Sequence, residues 1–600
     1  MGIVFLLQQA VSVEINKLYS LSLKPEQVQV SETKSEFEGD YTVVLFGLVK
    51  ELKKSPEVIG NALGENVKIT CSEIISGYNV IKGFLNFTIS DRFWVNFVNR
   101  NFSDGKYGQH PRTGKKVMVE YSSPNTNKPI HLGHLRNNFL GWSIAEIFKK
   151  NGYEVKKTSI ANDRGIHICK SMVAWELFAY GATPESTGLK GDHLVGDYYV
   201  KFGEAHKTQV AELVAAGMNE EQASAQAPIM KAAQQMLVDW EAGKPDVIHL
   251  WTTMNGWVYK GWEETYKAIG SDFDKNYYES EVYLLGKEMV EEGLKKGVFY
   301  KKEDSSVWID LTADGLDEKI VRRKDGTAVY ITQDIGLVEL KQKEFDASLS
   351  LYVVGNEQDY HFKVLKLIAR KLGIKGADGI HHLSYGMVEL PSGRMKTREG
   401  TVVDADEIVK EMKTISAKHT LELGKVKDFN ETELLELYTT LGLGALKFFL
   451  LRVDPKRKMV FNPEESIDFH GFTGPFIQYT YARTKSILRR LSPGDPFFTL
   501  EPETDIELSS MLLPAEKKVI TELEKFPLMI SEAAEEMNPS VLAAYVFRLS
   551  QAFNFLLTEL KILTAETEEK RLFRLRIALF TASTIRSCMG LLGIQVPERM

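Results

Sequence analysis

The chain has 600 residues, 44% apolar and 26% charged, the balance of a globular protein too long for one core and sized for about three to five domains. Its net charge of −7 bears on solubility more than on partners and leaves room for a local basic face that binds RNA. Three scattered cysteines, Cys71, Cys169 and Cys588, form no C-x-x-C pair, which argues against a zinc ribbon or a disulfide framework and fits a reducing compartment. No apolar run approaches a membrane span, and residues 3–7 lack a basic n-region and a cleavage site, so a cytoplasmic protein without a membrane partner is expected.

Residues 1–110 read as an α+β module. The pattern predicts a helix over 6–21, a strand over 41–48 and a helix over 55–63 opened by Ser55-Pro56. A hairpin of 78–81 and 84–89 turns at Lys82-Gly83, and 104–108 reads as a linker.

The stretch KKVMVEYSSPNTNKPIHLGHLRNNFLG follows at 115–141. Val117, Met118 and Val119 predict a buried strand. Ser122, Ser123, Pro124 and Asn125 break it, and Pro129 excludes a helix there. From Leu132 the spacing of Leu135, Phe139, Leu140, Ile144, Ile147 and Phe148 is helical. A strand-to-helix turn is where nucleotide sites form in open α/β sheets. His131, Gly133 and His134 fall at the helix start, where unpaired N–H groups and the helix dipole favour a phosphate. Gly133 lets a ligand approach the backbone, and the imidazoles can donate hydrogen bonds. By itself, H-x-G-H reads equally as two helix-capping histidines.

A second strand is predicted over 154–160, followed by a turn at Asn162-Asp163-Arg164-Gly165, which also reads as an Asx-turn before a left-handed glycine. Residues 181–246 are rich in Ala, Gln, Met and Glu and read as a helical insertion, a packing element sooner than a contact for RNA or another partner. Helix 251–269 carries Trp257 and Trp262 as core aromatics, and 273–321 reads as helix then hairpin. Asp325-Gly326 is a turn, 327–331 a strand, and Asp334 starts a helix, which capping alone also explains. A buried strand over 349–354 ends at a third polar turn holding Gln358. The last strand region, 382–390, leads to a basic loop between Gly393 and Gly400, on its own a solvated hairpin tip. From 401 the chain is helical. Arg483, Lys485, Arg489 and Arg490, and again Arg571, Arg574 and Arg576, read either as an RNA face or as solvated surface.

The string S-S-P-N-x-x-K-P-x-H-x-G-H-L-R from Ser122 to Arg136 resembles the HIGH signature of class I aminoacyl-tRNA synthetases in its arginyl form. Tyr330-x-Thr332-x-Asp334-x-Gly336 resembles that family's substrate strand, residues 393–400 its KMSKS loop, and 474–483 the start of its anticodon-binding bundle. The resemblance implies an α/β fold in four parts: 1–110, an α+β tRNA-contacting domain; 111–405, a Rossmann-like parallel-sheet catalytic domain with a helical insertion near 181–270; 406–473, a helical connecting subdomain; and 474–600, an all-helical anticodon-binding domain.

It implies aminoacylation of tRNA(Arg) with L-arginine through an adenylate, using ATP with its Mg²⁺, without zinc or another bound metal, by a monomer. Carried over residue by residue, Lys128, His131, His134, Lys396 and Arg398 are catalytic. His131, Gly133, His134, Met395 and Lys396 bind ATP. Glu120, Ser122, Asn125, Tyr330, Asp334 and Gln358 bind arginine. Arg164 stands where the family usually has Trp, and Arg394 and Thr397 replace the two lysines of KMSKS, leaving Lys128 as the substitute cation. The substrate carboxylate is already ionised, so the chemistry needs positioning and charge stabilisation rather than a general base. Competing readings are a cysteinyl-type synthetase, which would bring zinc ligands, a shorter pantothenate-synthetase-like ligase, and an inactive RNA-binding relative, against which intact His131, His134, Lys396 and Asp334 stand.

Overall fold

Five parallel strands form the central sheet: β1 (Lys116–Glu120), β2 (Glu154–Ala161), β3 (Lys275–Tyr278), β4 (Leu349–Gly355) and β5 (Ile380–Tyr385), in spatial order β5-β4-β1-β2-β3. The computed structural model describes every residue except Met1, Ala328, Leu390, residues 392–402, Leu423, Lys425, Lys427, Leu500, Pro502 and Glu503. Val117, Met118 and Val119 of β1 are all buried, the continuous apolar run of a strand covered on both faces. Chain order reverses beside β1, so the β1–β4 boundary is a topological switch point, with a crevice expected at the strands' carboxyl ends. Helix Leu132–Lys150 links β1 to β2, and helix Asp359–Leu372 links β4 to β5.

Two readings of the sequence are corrected here. The strand expected over 327–331 gives way at its described end to a helix, Tyr330–Phe345, with Ile331, Ile335, Val338 and Gln342 on its buried side. The hairpin before it ends at Arg322, and a separate turn follows at Gly326, φ +82°. Strand β3 falls within the stretch expected as helix then hairpin; four residues with one buried side chain, Tyr277, leave little alternation to read. The helical insertion between β2 and β3 includes Ile166–Phe178, Gly191–Ala215, Pro228–Glu241 and Pro245–Ile269.

The N-terminal module is a four-stranded antiparallel sheet ordered Val30–Glu32, Tyr41–Val44, Phe84–Ile89, Ile75–Ile81. The strand expected over 41–48 stops at Val44, because Val44 pairs with Phe84 and the partner turns back there; a helix, Phe46–Leu52, follows. The stretch 104–108 is a wedge rather than a linker. The Tyr107 hydroxyl donates to Leu523 O at 2.8 Å, and its ring lies 4.8 Å from Phe580. Gly108 sits at φ +80°, where a Cβ would come within 2.8 Å of Phe526. The N-terminal module and the C-terminal helices therefore share one apolar core.

Helices Gly474–Arg489, Pro514–Glu524, Phe526–Glu535, Ser540–Glu559 and Glu568–Leu591 build the C-terminal bundle. Arg574 and Arg576 are internal struts, not an RNA face. Arg574, fully buried, donates from Nε to Glu516 at 2.7 Å, and Arg576 donates to Asn99 at 2.8 Å. Arg571 is bound to Asp495 at 3.0 Å and to Glu568 at 2.7 Å. Lys485 pairs with Glu598 at 3.2 Å, while Arg483, Arg489 and Arg490 are exposed. Contrary to the reading of the sequence, Glu431–Leu451 and Ser540–Glu559 are long and apolar enough to span a bilayer, but half or more of each apolar window is buried inside the fold.

Candidate active site

Beyond Glu120, the last residue of β1, the backbone turns sharply. Ser122 and Ser123 have φ of +72° and +48°, a left-handed pair of non-glycine residues that persists only where the surroundings impose it. Asn137 Oδ1 accepts from Ser122 N at 2.5 Å, Asn138 Nδ2 donates to Ser122 Oγ at 3.1 Å, and Tyr266 Oη lies 2.7 Å from the same hydroxyl. Asn162 Nδ2 donates to Ser123 O at 3.1 Å, and Asn162 N to Pro124 O at 2.9 Å. Ser122 is thus engaged in shaping the turn. Asn125, paired by a parallel bridge with Asn162, is exposed.

His131 caps helix Leu132–Lys150, and its N–H donates to His134 Nδ1 at 3.2 Å; the ring centroids are 3.8 Å apart. An accepting Nδ1 places the proton of neutral His134 on Nε2, leaving one N–H donor for a ligand. Burial, and then Lys128, push His131 down to about 3; burial, His131 and Lys128 push His134 well below its ordinary range. Both are neutral donors at neutral pH. Burial also lowers the Lys128 ammonium. A Cβ on Gly133 would come within 3.1 Å of the His131 ring, so the glycine leaves that imidazole its place. Lys128, His131, Gly133 and His134 therefore lie together at the helix N-terminus. Met395, Lys396 and Arg398, with Arg394 and Thr397, lie outside the described residues.

Of the expected arginine ligands, Ser122 and Asn125 lie on the β1 turn and Glu120 ends β1, while Tyr330 and Asp334 share one helix and Gln358 follows β4. Asp334 accepts from His361 Nε2 at 2.6 Å, and the Tyr330 ring lies 5.7 Å from His361. Tyr330, expected on a strand, opens the helix instead, so Asp334 stands one turn behind it. Tyr330 is 61% exposed at the rim, and desolvation by the protein around it, then the charges of Asp334, Glu279 and Glu120, raise its phenol. Glu120 is not a free surface acid. It is buried and paired with Lys341, itself almost wholly buried, whose Nζ lies 5.2 Å from the centres of the Tyr277 and Tyr352 rings. Gln358 is exposed at the turn after β4.

Glu279 escaped the reading of the sequence. It follows β3, the strand that was missed, and burial lifts its carboxyl to about 7, with Arg164 opposing and Asp163 and Asp334 adding. Lys341, His361 and Arg136 were missed too. Arg136, fully buried, donates to Gly386 O at 2.6 Å, Arg457 O at 2.9 Å and Pro455 O at 3.2 Å. Only the helical spacing of Lys341 from Asp334 pointed at the pocket. Arg164 stacks over Tyr283 at 3.9 Å and Trp240 at 5.2 Å and pairs with Glu241 at 2.8 Å. Its neighbour Asp163 is buried, accepting from Ser280 N at 2.8 Å and Tyr259 Oη at 2.9 Å, a brace rather than a ligand.

Residues 98–462 match the family model of the class I (R) tRNA synthetase catalytic domain, residues 6–89 the arginyl tRNA synthetase N-terminal domain, and residues 477–600 the DALR anticodon-binding domain. The chain belongs to the arginyl-tRNA synthetases. Arginine--tRNA ligases of Amoebophilus asiaticus and Flavobacterium psychrophilum are each 50% identical to it, over 100% of both chains in the first case and 99% in the second. The arginyl-tRNA synthetase structure of Thermus thermophilus superposes over 100% of both chains with a TM-score of 0.79 at 23% identity, a likeness of fold.

Proposed function

We infer that the chain joins L-arginine to tRNA(Arg) through an arginyl-adenylate, consuming ATP and releasing AMP and pyrophosphate. The observation that carries the assignment of roles is the strained turn at the switch point, which aims two neutral imidazoles and a helix N-terminus at one spot. Nucleophilic attack by the arginine carboxylate on the α-phosphate builds charge on phosphate oxygens, and pre-set donors there stabilise the transition state without reorganising. His134 Nε2–H, His131 and the first N–H groups of the helix supply that field, and Lys128 adds an ammonium. Lys396 and Arg398 are assigned to the departing pyrophosphate by their place in the sequence, and Mg²⁺ arrives with ATP.

Asp334 and Glu279 receive the guanidinium, whose planar fork favours carboxylates. Tyr330 covers the stem, and Asn125 and Gln358 hold the amino-acid end. Zinc has no place in this reading: Cys71, Cys169 and Cys588 lie at the ends or middles of three separate helices. The enzyme is assigned to the cytoplasm as a monomer, with the exposed Arg483, Arg489 and Arg490 toward RNA. Lys128→Ala tests the site: kcat for charging should fall about 10²–10³-fold with little change in arginine KM, as when one transition-state donor is lost. Normal charging by Lys128→Ala would remove it from the phosphate site.

A further inference from the structure

The helical insertion reads as packing, yet one of its helices touches the phosphate turn. A Cβ on Gly196, in helix Gly191–Ala215, would lie 2.8 Å from Pro129 Cδ and 3.7 Å from Lys128 Cα. That helix backbone rests directly on the turn bearing Lys128. At its start, Lys190 Nζ lies 2.6 Å from Asp406 Oδ2, 3.3 Å from Asp192 Oδ2 and 2.5 Å from Thr265 Oγ1. His193 Nε2 lies 3.2 Å from Asp406 Oδ2 and 3.3 Å from Asp404 Oδ2.

Asp404 is the residue whose backbone bridges His131. On either side, Leu132 N donates to Val403 O at 3.2 Å and Ala405 N to Ile130 O at 2.9 Å. One helix therefore grips the start of the signature helix twice, through Gly196 on the turn and through an ionic clamp on the segment paired with His131. His193, Asp404 and Asp406 are close enough to share a cation, but the Lys190 ammonium already sits on Asp406, so the cluster is a clamp between protein groups. The hydrogen bond to Asp406, with Asp404 and Asp192 behind it, raises His193 against burial and Lys190, which favours the paired form.

We propose that Lys190 and His193 are positioning residues for adenylate formation, fixing through Asp404 and Asp406 the segment that sets His131, while Gly196 sets the turn that carries Lys128. This rests on the assignment of Lys128, His131 and His134 to the phosphates. Displacing reacting groups by about 1 Å costs up to about 100-fold in rate, so the effect belongs in kcat.

The test uses full-length enzyme, tRNA(Arg), arginine and ATP, with kcat and each KM measured for Lys190→Met, Lys190→Arg, His193→Gln and Gly196→Ala, and folding followed by circular dichroism. Lys190→Met and His193→Gln should lower kcat about 10- to 100-fold with arginine KM little changed, and Lys190→Arg should restore most of the loss. Gly196→Ala should lower kcat although alanine is the better helix former; it decides the matter if Lys190→Met does not fold. Wild-type kcat in Lys190→Met and His193→Gln, or in Gly196→Ala, overturns the proposal, as does a loss that Lys190→Arg fails to restore. Lys128→Ala, run alongside, separates the two claims: if it keeps full kcat the phosphate site itself is misassigned, whereas if it loses kcat while the clamp variants do not, only the clamp is wrong.

Discussion

Asp334→Asn is the sharpest probe of the amino-acid pocket. The substitution keeps the shape of the side chain and a hydrogen bond toward His361, now 2.6 Å from Asp334 Oδ2, and removes the carboxylate. Lys341 already engages Glu120, and burial pushes the Glu279 carboxyl up to about 7, so Asp334 is the carboxylate on which a guanidinium depends most. Losing one half of a desolvated charge pair costs about 2–5 kcal/mol. The Asp334 side chain is 25% exposed, which places the cost at the lower end, about 2–3 kcal/mol, or about a 30- to 150-fold rise in arginine KM. Steady-state charging of tRNA(Arg), with arginine and ATP varied in turn, reads both constants. An arginine KM within about fivefold of wild type, or an equal rise in the ATP KM, would refute the placement of Asp334 against the guanidinium.

Arginine KM should fall as pH rises from about 6 to 8, because a raised Glu279 must lose its proton to pair with a cation; Glu279→Gln should flatten that profile, and an unchanged slope would place Glu279 outside the pocket. Arg136→Met should destabilise the protein by about 3 kcal/mol or more, since it orphans several buried carbonyls at once, read as a lower denaturant midpoint; a wild-type midpoint would show those carbonyls find other donors. In the Lys128→Ala background, Thr397→Lys should recover part of kcat, and no recovery would mean the two positions do not serve the same phosphates.

The β1 turn was legible because its signals are local. Proline, serine and glycine punctuate a strand-to-helix switch, and the apolar spacing changes period at Leu132. Tyr330 was misplaced because Val329, Tyr330 and Ile331 look like a strand, while the helical spacing that wins runs on through Ile335 and Val338. Tertiary packing on β4 and helix Leu285–Lys295 decides it: a Cβ on Gly336 would meet the Leu285–Gly286 backbone at 2.7 Å. Glu279 and the Lys190 clamp were illegible for a different reason. Each joins segments far apart in the chain, as His193 joins Asp404 and Asp406, and no local spacing encodes such a meeting. Arg574 and Arg576 show the converse error, since a charge cluster on a helix is usually solvated and here is internal.

Charging of tRNA(Arg) with arginine and with citrulline, measured in parallel, asks whether the pocket selects its substrate by charge. Citrulline keeps the length and planarity of the side chain and lacks the positive charge that Asp334 and Glu279 are proposed to receive. kcat/KM for citrulline should lie about 10⁴-fold or more below that for arginine, the discrimination a site reaches when its buried polar groups are left unpaired. Citrulline charged within about tenfold of arginine would contradict it.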